Sequence, residues 1–282
     1  MVIRIVTDSG ADLSEDILKE LSISVVPLHI LFGSKDFRDG VDIKHEDLYK
    51  KLVEGPTIPT TSTASPGEFA AVFHDLIKGG ADGIVCISLS EKLSKTYGSA
   101  VQAQKMFEES KCPITVINSE GVAMGMGFLA MLAARLAKEG KSQAEIVSTV
   151  QENIPRIHLI GALETLKYLI KGGRAPKLAV VSDILKLKTF IKIHEGEVRV
   201  IGRTRTQREK INQLMGFIEG FANAQIEEIA VEYAGNREEA ETLLQEIALK
   251  FPKARTYFSI FGAAIGVHSG PGIIAISLRT KN

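Results

Sequence analysis

The sequence predicts a two-domain α/β protein: an N-terminal parallel sheet with helices on both faces, followed by a C-terminal mixed α/β domain. Three observations predict it. At 282 residues the chain is longer than one ordinary core. In its first half, short apolar runs of strand character alternate with helical segments, the pattern of a parallel sheet covered on both sides. Near Pro155 this alternation gives way to longer strands and a hairpin, which sets the expected domains at 1–156 and 157–282.

The elements follow in order. VIRIVT reads as a buried strand, and the helix after it is expected to start at Asp12, with Glu15 three residues on. SVVPLHILF reads as one further strand, and FGSKDFRDG has the turn chemistry of a short hairpin. A helix through HEDLYKKLV follows. Ser65-Pro66-Gly67-Glu68 combines a cap, a proline suited to the first helical position and a capping-box acid, so a helix is expected from there to Lys78, stopped by Gly79-Gly80. GIVCIS and PITVINS read as strands, SKTYGSAVQAQKMFEE and MGFLAMLAARLAKEG as helices, and Ser142 with Glu145 opens another helix. Beyond the boundary come a strand HLIGALE, helical stretches at TLKYLIK and LAVVSDIL, and a hairpin turning at Glu195-Gly196. A helix, the strand EEIAVEYA, the helix NREEAETLLQEIALKF and a last strand IIAISL complete the chain.

Composition narrows the function. The 34 basic and 34 acidic residues cancel, which argues against a general nucleic-acid binder. Between Leu166 and Lys210, however, twelve Lys/Arg face four Asp/Glu, either a solvated face or a docking surface for phosphate or an acidic partner. No apolar run has membrane-spanning length, and the start MVIRIVTDSG lacks the features of a signal peptide, so a cytoplasmic protein without integral membrane association is expected. Cys86 and Cys112 belong to no metal or redox motif and read as reduced thiols.

The chemistry collects in loops. Thr7–Gly10, Thr60–Ser65, Ser88–Thr96 and Asn118–Gly121 are rich in small hydroxylic residues and are expected at one edge of the parallel sheet, beyond the carboxyl ends of strands. Gly266–Gly272 holds three glycines and a proline, which predicts a tight loop with His268 at its centre, either a hydrogen-bond donor or a positive charge beside a carboxylate. Hydroxyls with one imidazole suit a small anionic head. They offer no hydrolytic elbow, no acid pair and no metal cluster. Gly125-Met126-Gly127-Phe128-Leu129-Ala130 matches a dinucleotide fingerprint, but it follows its strand too late for the required turn, and close helix packing is the preferred reading.

Five segments in order carry a resemblance: Ile5-Val6-Thr7-Asp8-Ser9; Thr60-Thr61-Ser62 before Ser65-Pro66-Gly67-Glu68-Phe69; Leu93-Ser94 with Thr96-Tyr97; Leu166 to Arg174 with Lys171-Gly172-Gly173-Arg174; and Gly266 to Gly272. Over nearly its whole length the chain resembles the DegV family, whose best-understood members are the fatty-acid-binding subunits of bacterial fatty acid kinase. The resemblance implies a long-chain fatty acid such as palmitate or oleate in a buried tunnel. Its carboxylate would be held by Thr61, Ser62, Ser94 and His268, and Arg174 and Arg205 would contact phosphate or the kinase partner. It implies a carrier in lipid metabolism that presents the carboxylate for phosphorylation, with no catalytic residues, metal or cofactor of its own. The alternatives are a nucleotide-dependent oxidoreductase and a fatty-acid-responsive regulatory sensor. Three departures from the family pattern stand out: Thr63-Ala64 for Gln-Pro, Lys95 for glycine, and Lys188-Thr189 for Lys-Pro. Lys95 is expected either to point to solvent or to add a cation near the head group. Energetics agree with a carrier, since burying an acyl chain gains roughly 0.8 kcal/mol per methylene.

Overall fold

The computed structural model describes residues 1–55, 58–174 and 187–281. The stretch 178–185, expected to be helical, lies outside them. The N-terminal strands β1 (Ile3–Asp8), β2 (Ile23–Val26), β6 (Gly83–Ser88) and β7 (Ile114–Asn118) form a parallel sheet in the order β2-β1-β6-β7. Every residue of β6 is buried, as expected of a strand covered on both faces. Helices α1 (Glu15–Leu21), α5 (Ala123–Lys138) and α6 (Gln143–Asn153) lie on one face. The helices α3 (Pro66–Lys78) and α4 (Thr96–Lys105) lie on the other.

Both expected capping boxes are present: Ser65 with Glu68 at α3 and Ser142 with Glu145 at α6. The start of α1 differs. Ser14 caps it by accepting the Ile17 N–H, while Asp12 takes a left-handed conformation that ends the turn after β1. SVVPLHILF is also not one strand. Pro27 has no N–H to give a ladder, and the chain leaves β2 there to enter a second sheet as β3 (His29–Phe32). That antiparallel sheet has the order β4-β3-β5, with β4 (Lys35–Arg38) as the predicted hairpin and β5 (Thr60–Ser62) as an unpredicted short strand. Helix α2 (His45–Glu54) follows the hairpin.

The C-terminal sheet has the order β10-β9-β8-β13-β11-β12. Its strands are β8 (Ile157–Leu163), β9 (Lys188–His194), β10 (Glu197–Thr204), β11 (Ile226–Tyr233), β12 (Arg255–Ile260) and β13 (Ile274–Thr280), with β13 antiparallel between β8 and β11. Strand alternation divides its residues. Ile160, Ala162, Phe190, Ile274 and Ile276 join one core with Leu214 of α8 (Gln207–Glu219) and Leu243 of α9 (Arg237–Lys250). Leu159, Leu163, Ile191, Ile273 and Ala275 face a different cluster, shared with Ile30 of β3 and Leu48 of α2. The short helix α7 (Lys167–Lys171) follows β8. The hairpin tip reaches back to the N-terminal sheet, where the buried Ser90 hydroxyl donates to the Gly196 carbonyl at 2.8 Å.

Residues 266–269 are not a loop. They are the last residues of α10 (Ala263–Ser269), and only Gly270 and Gly272 take the positive φ expected of the glycines there. Helix α10 packs against α2, α7, β3 and β5, so it carries His268 to the second sheet.

Candidate functional site

A cavity, partly continuous with solvent, opens between these layers. Its polar end is formed by Thr61, Ser62, Thr63, Ser94, Arg174, His268 and Ser269. The rest is apolar, with Leu159, Leu163, Ile191, Ile193 and Val198 from the C-terminal sheet. From Leu163 to Leu159 this floor runs four residues along one strand, about 13 Å. Gly161 lies at its middle, where a Cβ would stand 3.4 Å from Ile273 and 3.5 Å from Ile191. The glycine keeps the floor low.

The head of the cavity is assembled from distant segments. Thr61 sits in β5 opposite Ile30, and its Oγ1 lies 2.8 Å from His268 Nε2. His268 Nδ1 is buried and unpartnered, and a Cβ on Gly172 would come within 2.2 Å of it. Only glycine admits the ring at that point. Burial, with the Arg174 guanidinium nearby, pushes the imidazole down to about 4, so His268 is neutral near pH 7.

Ser94 Oγ lies 2.8 Å from Thr96 Oγ1 and accepts the Thr96 N–H, which fixes the turn into α4. Arg174 donates through Nε to the Leu93 carbonyl at 3.2 Å and also bonds the Gly172 carbonyl. It braces the Ser94 loop as well as lining the cavity. Ser62 lies at the cavity and is itself exposed. Arg205 is elsewhere: it is exposed after β10, beside Thr206, which caps α8, and takes no part in the lining. Lys95 is exposed and outside the lining too, as in the solvent alternative.

Two hydroxylic loops expected at the site serve packing instead. Asp8 is buried at the end of β1 and accepts from Ser88, Leu89 and Gly10. Burial nonetheless pushes its carboxyl up to about 6. Ser119 closes its own turn with Gly121. The Thr60–Ser65 segment, which does reach the cavity, belongs to the antiparallel sheet and not to the edge of the parallel one. Ser269 was missed. Its Oγ is buried at the cavity without a partner, and only its place next to His268 could have signalled it.

The Gly125–Ala130 motif lies inside α5, buried throughout. A Cβ on Gly127 would stand 2.8 Å from the Ala11 carbonyl oxygen and 2.9 Å from Leu13, so close helix packing accounts for the glycine. Among the described residues no group of three or more His, Cys, Asp or Glu is placed to hold a metal ion. No helix among them is long and apolar enough to cross a membrane. Cys86 and Cys112 are free and buried.

A DegV domain-containing protein of Caldanaerobacter subterraneus subsp. tengcongensis is 40% identical over 284 residues, 99% of each chain. A DegV family protein from Thermus thermophilus, described by its fatty acid binding, superposes with a TM-score of 0.92 at 28% identity, covering 99% of this chain and 100% of that one. DegV of Bacillus subtilis, described as a fatty acid binding protein, superposes with a TM-score of 0.91 at 28% identity over 100% of both. The family model described as "uncharacterised protein, DegV family" matches residues 2–281, and the chain belongs to the DegV family.

Proposed function

We propose that this protein binds one long-chain fatty acid in the cavity, its carboxylate among Thr61, Ser62, Ser94 and His268 and its acyl chain along the floor from Leu163 to Leu159. The observation that carries the reading is the cavity's division into an apolar corridor and one hydroxyl-and-imidazole end. A carboxylate leaving water needs hydrogen-bond donors, and hydroxyls and a neutral imidazole supply them, with the Arg174 guanidinium at the same end. Enclosing an acyl chain offers on the order of 10 kcal/mol before the entropic costs of association. The fatty acid binding named for the Thermus thermophilus and Bacillus subtilis proteins supports the same ligand.

Ser62, at the polar end, is exposed to solvent. The further reading is therefore a cytoplasmic carrier, without catalysis or cofactor of its own, that presents the carboxylate to a fatty acid kinase. Arg174 at the cavity and the exposed Arg205 are its candidate contacts. The division into domains 1–156 and 157–282 belongs to the same proposal. It is supported by the segregation of strands, with β1 to β7 in two sheets and β8 to β13 in a third.

Native mass spectrometry of the purified protein, with extraction and identification of the lipid, tests the binding. A stoichiometric C14–C18 fatty acid supports it. A protein that arrives empty and takes up neither palmitate nor oleate overturns it.

A further inference from the structure

Two buried carboxylates hold helix N-termini, and each reaches in from the opposite half of the chain. Asp39, 5% exposed, lies just after β4. Its Oδ1 accepts the Ala263 N–H at 3.1 Å, and its Oδ2 accepts the Ala264 N–H at 3.2 Å and the Ser9 hydroxyl at 2.8 Å. Ala263 and Ala264 open α10, whose cap residue, Gly262, has no side chain to receive them. Glu232 makes the converse reach. Fully buried in β11, it accepts the Met124 N–H through Oε1 at 2.7 Å and the Ser277 hydroxyl through Oε2 at 2.7 Å. Met124 lies in the first turn of α5, where the cap residue Val122 offers no side-chain acceptor either.

Both helices bear on the cavity. Helix α10 carries Ala264, Ile265, His268 and Ser269 of its lining, and Val122 lines it immediately before α5. Buried charge is a poor source of stability alone, since apolar packing serves as well or better. What a carboxylate adds is direction: its bonds to specific N–H groups fix where a helix begins. We propose that Asp39 and Glu232 are positioning residues that seat α10 and α5 across the two halves and so set the cavity in its binding-competent form. The inference rests on the fatty-acid reading for its ligand. The seating itself is measurable without one.

A ligand that binds only the seated form loses apparent affinity in proportion to the fraction left unseated. Isosteres separate this from general destabilisation. Both Asp39 oxygens accept N–H bonds, so Asp39→Asn, with one acceptor, breaks the cap. Glu232 needs an acceptor toward Met124 only, and in Glu232→Gln the amide can donate to the Ser277 oxygen instead.

The test measures amide hydrogen exchange in the ligand-free full chain, over peptides spanning 260–270 and 121–130, alongside the palmitate dissociation constant. Asp39→Asn and Glu232→Ala are expected to speed exchange in their own helix and weaken palmitate roughly three- to thirtyfold, while unfolding stays cooperative. Glu232→Gln is expected to match wild type in both. Variants that exchange faster yet bind palmitate as wild type does would overturn the proposal, as would Glu232→Gln behaving like Glu232→Ala. If Asp39→Asn does not fold, Ser9→Ala removes the hydroxyl that orients Oδ2 and also accepts the Leu28 N–H, and should show the same pattern at smaller size. If wild type binds no palmitate, the fatty-acid reading fails, and the exchange pattern alone decides whether the helices are seated this way.

Discussion

Thr61 and His268 lie 207 positions apart in the chain and meet at 2.8 Å at the polar end of the cavity. Losing either leaves the other's polar atom without this partner. Hydrogen bonds to a charged group contribute about 1.5–3 kcal/mol. His268→Ala and Thr61→Val are therefore each expected to weaken palmitate by roughly ten- to a hundredfold, measured by displacement titration. The double variant should lose less than the sum, because the two residues share one bonded unit.

Gly172 faces the buried Nδ1 of that histidine. Gly172→Ala would place a carbon 2.2 Å from Nδ1, so the ring or the end of α7 must move. The expected cost is about 1–3 kcal/mol of stability, the range for overpacked sites, together with loss of fatty acid retention. Urea unfolding and lipid extraction measure the two effects separately. Retention at the wild-type level would show that the ring is not held where the ligand needs it.

Gly161 tests the floor. Its Cβ position is in ordinary contact range of Ile273, Ile191 and Ala275, so an added methyl is accommodated. Gly161→Ala is expected to leave the melting temperature near wild type. Gly161→Leu should fill the corridor and abolish uptake of C16 and C18 acids while the circular dichroism spectrum stays unchanged.

The depressed His268 predicts a pH dependence of definite sign. The folded ring titrates at about 4, and an unfolded one near 6.5. Its neutral form thus favours the folded state above pH 6.5, and that contribution is lost as pH falls toward 4. Asp8 acts oppositely: raised to about 6, it favours the fold at low pH and loses that contribution as pH rises through 6. Comparing wild type with His268→Asn cancels Asp8. Wild type should lose about 2 kcal/mol more than the variant between pH 6.5 and 5. Parallel pH curves would place the ring in a wetter setting than the structure does.

Local signals gave the parallel strands, both capping boxes, the hairpins and the helix ending before Gly79, because in each the deciding chemistry lies within a few residues. Asp12 misled because Ser14, two residues later, offers the same kind of oxygen in the extended conformation a cap needs. Strands β5 and β12 and helix α10 depend on partners far along the chain, and the glycines of 266–272 read as a loop although four of those residues are helical. At the site, the hydroxyls and the histidine were legible by type. The corridor was not, since Leu159, Leu163, Ile191 and Ile193 alternate like any core residues, and nothing local tells a cavity wall from packed interior. Asp39 and Glu232 were invisible for the same reason.

Strand β13 is the latest of the sheet in sequence and yet lies between β8 and β11. During synthesis the earlier strands must wait with a gap at their centre, because the segment that fills it emerges after them all. Helix α10, with His268, comes just ahead of it. A nascent chain that stops before residue 263 therefore has neither the finished floor nor the histidine.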